Sequence, residues 1–279
     1  MPDLTRNELE KHAHAYERVY GANLDGINLE GAKFEGAIWV RCNLRNARLS
    51  GAVLEGADFS GCDFTGAVLS DAAMRETNLE GCNLTLANLS GAKLIESRLN
   101  KAVLNKAVLT GADLTRAVLI EAQAKLADFT GAILTRATAN VAKFILCQLD
   151  EVQAEYLTAV KADFSGSSLR GAMMDRAVLS GGNFSLCDLE GASLRGCPLK
   201  LANFLGADLR KARFTKSNLE QAHFLRAQAE KALMNGVNLR GAHLSEADFT
   251  GVNFDNSFLM QAVTDQTRLE GATFKDAKR

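Results

Sequence analysis

Residues 57–66 read ADFSG-CDFTG, and the five-residue unit they repeat runs through most of the chain. Stepping by five from Leu24 reaches Leu29, Phe34, Trp39, Leu44 and onward to Phe274, 51 centres of which 45 are Leu, Phe, Met or Trp. Two residues before the centre stands Ala, Cys, Ser, Thr or Gly in 46 of the 51 units, and Asn or Asp lies between them in 19. Of the 23 glycines, 22 share one register, two residues after a centre position. A helix face recurs every 3.6 residues and a strand face every 2, so a period of five fits neither. It fits a short extended segment followed by a turn. The large residue and the small one two positions earlier point inward, the Asn or Asp between them points out, and Gly takes the turn, where the absence of a Cβ removes strain. A chain of such units is a solenoid, which grows by stacking and needs no central core.

Units such as CNLTL (82–86), ANLSG (87–91), ADLTR (112–116), ADFTG (127–131), CDLEG (187–191) and ADLRK (207–211) resemble the A(D/N)LXX signature of the pentapeptide-repeat family, over about nine-tenths of the chain. That resemblance implies an all-β fold, a right-handed quadrilateral parallel β-helix with four pentapeptides per coil. The 51 units then make about 13 coils, which at the roughly 4.8 Å spacing of paired strands would stack to about 60 Å. Twenty-residue coils place residues twenty apart in register, and Phe144, Phe164, Phe184, Phe204 and Phe224 are expected to form one continuous ladder.

The expected organisation is an N-terminal capping helix within residues 1–21, a β-helix over 22–276 and a short tail, 277–279. Thr5-Arg6-Asn7-Glu8 has the form of a capping box. Leu9, Ala13, Tyr16 and Tyr20 follow at helical spacing and Gly21 serves as the stop, which predicts a helix over Arg6–Tyr20. Its apolar face would close a coil end that otherwise exposes unpaired strand groups. Between Ala122 and Val160 the centres shrink to Ala124, Ala139, Ala154 and Ala159, while Val152 and Leu157 enlarge the small slot. Large and small positions exchange so that interior volume is conserved, and this predicts a distorted middle rather than a domain boundary.

Composition narrows the function classes. Thirty-two Lys and Arg oppose 33 Asp and Glu, for a net charge of -1. Direct nucleic-acid binding, which requires a cationic surplus, is not expected. The opening residues carry no apolar signal core and no window approaches the roughly 18–20 apolar residues of a membrane span, so the cytoplasm is the expected location. All six cysteines, Cys42, Cys62, Cys82, Cys147, Cys187 and Cys197, fall in the small inward slot and are expected to be buried structural thiols. His223 and His243, twenty apart, become neighbours on an outer face, while His12 and His14 lie in the predicted helix. Two imidazoles without a carboxylate or thiol partner make a poor metal site. No insertion interrupts the repeat, and without loops no pocket can gather functional groups. Neither catalysis nor a cofactor nor a metal is expected.

Function is thereby left to the outer faces. The face centred on Leu29, Leu49 and their successors holds 11 acids, among them Asp128, Asp150, Glu151, Asp188, Glu190, Asp208 and Asp248, against 6 bases. Another face carries the column Arg116, Arg136, Arg176 and Lys216, with Tyr156 between them. Most informative is a set of outward apolar residues, Leu86, Leu126, Ile145, Leu146, Leu186, Leu205 and Leu225. Phe258, the one Phe of 14 off a centre, joins Met260 and Val263 as a second set in the last coils. Exposed apolar clusters mark interfaces. A protein partner is therefore expected, and through the last coils a homodimer. Residues 4–36 also resemble the start of pentapeptide-repeat proteins found beside bacterial type VI secretion components, which implies an accessory role there. The family further contains DNA mimics that bind DNA gyrase; that alternative requires a strongly acidic surface, and only one face here is acidic.

Overall fold

The computed structural model describes residues 2–14 and 17–279. Its organising element is a backbone ladder with an offset of twenty residues. Asn43 N–H donates to the Ala22 carbonyl (2.9 Å) and Leu44 N–H to the Asp63 carbonyl (2.7 Å). Each twenty residues make four parallel pairings, such as Asn23 with Asn43, Asn28 with Arg48, Lys33 with Val53 and Ile38 with Asp58. The coil is therefore four-sided. Corners are turns closed by a bond between residues three apart, as from Ala47 N–H to the Leu44 carbonyl (3.2 Å), with the third residue left-handed (Asn46, φ 53°). Positive φ at that position is the signature of a type II turn and explains the glycine register.

The interior is filled by the centres and the small slots. Where a small slot is polar, its side chain donates to the carbonyl of a centre, in the preceding coil for most and in its own coil for Ser97, which bonds Leu94 (2.6 Å). Thr77 bonds Leu54 (3.0 Å), Ser217 bonds Leu194 (2.6 Å) and Ser257 bonds Met234 (2.8 Å). Cys62, Cys82 and Cys187 make the same contact with Trp39, Phe59 and Phe164. Buried polar groups must be hydrogen-bonded, and this rule is why Ala, Ser, Thr and Cys interchange there.

The chain divides into two compact units, Met1–Lys143 and Phe144–Arg279. The first opens with α1, Arg6–His14, followed by β1, Arg18–Tyr20, which pairs in parallel with β2, Ile38–Val40. The capping box forms: Thr5 N–H and Oγ1 both donate to Glu8 Oε2 (2.7 Å), and Glu8 N–H returns to Thr5 Oγ1 (3.4 Å). The backbone bond from Thr5 holds the Glu8 carboxyl below its usual range. Leu9 and Ala13 are buried, and α1 packs against β1. The expected helix through Tyr20 is corrected. Arg18–Tyr20 is extended because its backbone finds partners in β2, Tyr20 is exposed, and its hydroxyl accepts from Arg41 (3.0 Å). Tyr16 lies outside the described residues. Pairing also begins earlier than residue 22, since Asp3 N–H donates to the Asn23 carbonyl (2.7 Å).

In the second unit the Phe ladder forms. Phe144, Phe164, Phe184, Phe204 and Phe224 stack with successive centroids 5.2, 4.9, 5.2 and 5.0 Å apart. Val152 and Leu157 are buried beside the small centres Ala154 and Ala159, so interior volume is exchanged between the two slots. The pairing register holds through Gln123 with Lys143 in the first unit and from Gln148 with Ser168 in the second. Residues 277–279 are not a separate tail: Lys278 pairs with Phe258, and its carbonyl accepts from Leu259 N–H (2.7 Å).

Phe184 is enclosed by the Phe164 and Phe204 rings on either side of it. Phe184→Ala is expected to cost about 3–5 kcal/mol, read as a lowered midpoint in chemical denaturation. A loss under about 1 kcal/mol would mean the ring is not part of a packed interior.

Candidate interaction surface

The ladder holds corner residues too, as Leu146 N–H donates to the Ser165 carbonyl (2.9 Å) and Leu186 N–H to the Leu205 carbonyl (2.8 Å), but it leaves their side chains outside the interior. Thirty described non-glycine residues occupy left-handed corners, where a side chain costs roughly 1–2 kcal/mol over glycine. Most are charged or polar and gain hydration in return. Leu86, Leu126, Leu146, Leu186 and Leu201 gain none, at φ 57–61° with 58, 47, 46, 69 and 52% of their surface exposed. The first two belong to the first unit and the other three to the second.

Within the second unit the column can be built residue by residue. Leu146 and Leu186 stand two coils apart at one corner, with Gly166 and Gly206 in the coils that follow them. A methyl group at Gly166 would come within 2.7 Å of Leu146 Cδ2, and one at Gly206 within 3.0 Å of Leu186 Cδ2. The leucines thus lie along the stack, over bare backbone. Beside them Leu205 is exposed, while Ile145 and Leu225 are half-buried. Sequence reading missed Leu201, which sits at a different corner, and the exposed Val141, Met173 and Leu233. Leu201 and Val141 were detectable as apolar residues in the glycine slot.

Of the C-terminal set, Phe258 and Val263 are exposed and Met260 half-buried. Phe258 has local cover, since Lys278 Nζ lies 5.3 Å from its ring centroid. Nearby, a depression of about 270 Å³ is lined by Leu244, Leu259, Ala262, Leu269, Phe274 and Arg279. The Arg279 guanidinium stands 3.8 Å over the Phe274 ring.

On the acidic face Glu30, Asp188, Glu190, Asp208 and Asp248 are in ion pairs. Arg170 bridges Asp188 (2.7 Å) and Glu190 (2.5 Å), Lys211 reaches Glu190 (2.8 Å), and Arg210 grips Asp208 (2.5 Å). Partial burial pushes the Asp208 carboxyl up, but the bonds from Arg210 outweigh it and hold it below its usual range. The Lys211 bond does the same for Glu190. In the basic column Arg116 pairs with Glu96 (3.0 Å), and Arg176 donates to the Tyr156 hydroxyl (2.7 Å).

The cysteines are buried free thiols. Burial pushes Cys82, Cys187 and Cys197 up to about 12. Hydrogen bonding to Cys42, then burial, raises Cys62. These four thiols, held protonated, are poor nucleophiles, whereas the hydrogen bond with Cys62 lowers Cys42. His223 and His243 stack on an outer face, centroids 4.7 Å apart and 3° from parallel. Among the described residues no group of three or more His, Cys, Asp or Glu is placed to hold a metal ion, and no helix is long and apolar enough to cross a membrane.

The chain matches the family model described as Pentapeptide repeats in eight copies, at residues 22–61, 42–81, 62–100, 82–119, 97–136, 147–185, 187–226 and 222–263. Among solved structures it is similar to HetL, a pentapeptide repeat protein involved in heterocyst differentiation regulation from the cyanobacterium Nostoc sp. strain PCC 7120. Identity there is 25%, over 98% of each chain, with a TM-score of 0.24. QnrB1, a plasmid-mediated fluoroquinolone resistance protein, is 23% identical over 72% of this chain and 87% of its own, with a TM-score of 0.38. A pentapeptide repeat protein from the Arabidopsis thaliana thylakoid lumen is 31% identical over 35% of this chain and 65% of its own, with a TM-score of 0.26. No curated protein matches the chain.

The histidine pair gives a pH dependence of known sign. Desolvation first, and then the neighbouring His243, lower the His223 pKa. The unfolded chain therefore takes up this proton at higher pH, near 6.5, so the contribution to stability is full above that value and is lost as pH falls from there through the lower folded-state pKa. By NMR titration His223 is expected to have a midpoint below about 6.5, moving upward in His243→Ala. A midpoint that stays put in the variant would disprove the coupling.

Proposed function

The chain belongs to the pentapeptide-repeat family, and on that premise we propose that it is a non-catalytic scaffold that binds protein partners through leucines exposed at its left-handed corners. The observation that carries this reading is Leu186, 69% exposed at φ 58°. The residue is unfavourable twice over, once for its backbone and once for its solvated isobutyl group. Burial of such a side chain in an interface is worth about 1.5–3 kcal/mol, enough to offset both. Components of a bacterial secretion apparatus are the first partners to test, given the character of residues 4–36. The DNA-mimic alternative has less support. Asp188, Glu190 and Asp208 are engaged by Arg170, Arg210 and Lys211, and the net charge is only -1.

The test separates binding from stability. Leu186→Gly combined with Leu205→Ser relieves a left-handed corner and touches no interior slot. This variant is expected to unfold within about 1 kcal/mol of the parent while losing at least tenfold in capture of the protein partner. Full retention of the partner would refute the reading.

Phe258, Met260 and Val263 form the second surface of this proposal, a contact between two copies of the chain. Light scattering is expected to report a dimer that Phe258→Asp with Met260→Asp converts to monomer. A monomeric parent would eliminate this contact.

A further inference from the structure

The strip formed by Ile145, Leu146, Leu186, Leu205 and Leu225 has a definite length, spacing and electrostatic border. From Ile145 to Leu225 is four coils, about 19 Å at the usual spacing of paired strands. Residues 145–146, 165–166, 185–186, 205–206 and the position of Leu225 are all uncharged. Past Leu225 the corner carries Arg226, ion-paired with Glu246 (2.7 Å). Along one side runs the acidic face, which in this unit holds eight carboxylates against five cations. Along the other run Asp163, Asn183, Asn203 and His223, with Asn183 Nδ2 donating to Asp163 (2.9 Å) and Asn203 Nδ2 to Asn183 (3.3 Å).

These dimensions discriminate among occupants. A peptide strand adds to a sheet by its backbone, and a corner offers turns rather than an unpaired edge. A bilayer surface is disfavoured, because the strip is about one residue wide and borders excess negative charge, where anionic lipids would be repelled. An α-helix laid along the stack fits. Leu146 and Leu186, two coils apart, are separated by about 9.6 Å, against about 10.5 Å for seven residues of helix. Over the whole strip, 13 helical residues rise about 19.5 Å. We propose that this strip seats an amphipathic α-helix of a partner protein, its apolar stripe on the leucines and its Lys or Arg flank toward the surplus of carboxylates on the neighbouring face. The inference rests on the scaffold reading above and adds the partner's secondary structure and charge.

The experiment places the photo-cross-linking residue p-benzoylphenylalanine at Leu186 of the full chain, in the source cells, and maps the captured segment by mass spectrometry. The expected segment has apolar residues at i, i+3 and i+7 beside Lys or Arg. As a synthetic peptide it should gain helicity on binding, bind at least tenfold more weakly to Leu186→Ser with Leu205→Ser, and weaken several-fold from 50 to 300 mM NaCl, as an electrostatic flank requires. A captured protein segment that is extended or acid-flanked overturns the helix and leaves the scaffold reading standing. Capture of a second copy of this chain, or of lipid alone, overturns the helix too. If nothing is captured and the Leu186→Gly, Leu205→Ser variant retains every partner of the parent, both readings fall.

Discussion

Asn183 N–H donates to the Ala162 carbonyl at 2.9 Å, Phe184 N–H donates to the Asn203 carbonyl at 2.7 Å, and the same two bonds recur coil after coil. An unsatisfied buried backbone group costs about 1–3 kcal/mol. A coil one residue longer or shorter would orphan several at once and turn inward side chains outward. The strict five-residue register follows from this penalty. So does the absence of insertions over residues 24–274, which confines variable chemistry to outward strand positions and corners.

The same bonds determine what could be read from sequence alone. The coil length, the inward Phe ladder and the burial of all six cysteines were legible because each is a consequence of register. The helix boundary was not. Tyr16 and Tyr20 sit at helical spacing after Ala13, yet a short helix is marginal by itself, and strand pairing of Arg18–Tyr20 with Ile38–Val40 satisfies more backbone. The last residues were misread for a related reason. Lys278 looks like tail, but the ladder recruits it, and it then covers Phe258. On the candidate surface, the column of Leu146 and Leu186 was legible by counting twenties. The half-burial of Ile145 and Leu225 was not, since shading by neighbouring coils depends on side-chain direction.

Charge followed register too, in a way that totals conceal. Arg170 meets carboxylates 18 and 20 positions away, and Lys211 meets one 21 positions away. None of these pairs is close in sequence; all are adjacent in the stack. Part of the charge on the acidic face is therefore spent in pairs between coils, and what the face presents outward is the surplus of carboxylates over cations. The uncharged leucine strip stands out against that background as the place where the interleaving stops.

Within either unit, displacement by twenty residues carries a side chain one step along the axis and leaves its bearing about that axis nearly unchanged, as Leu146 and Leu186 illustrate. Each unit is in this sense a graduated ruler. Gain or loss of twenty residues would slide one recognition element past another on the same face, while gain or loss of five would turn it a quarter of the way round. Duplication of genetic segments in multiples of sixty nucleotides could thus tune the spacing of surface contacts without refolding the interior. Multiples of fifteen alone would reassign those contacts to a different face.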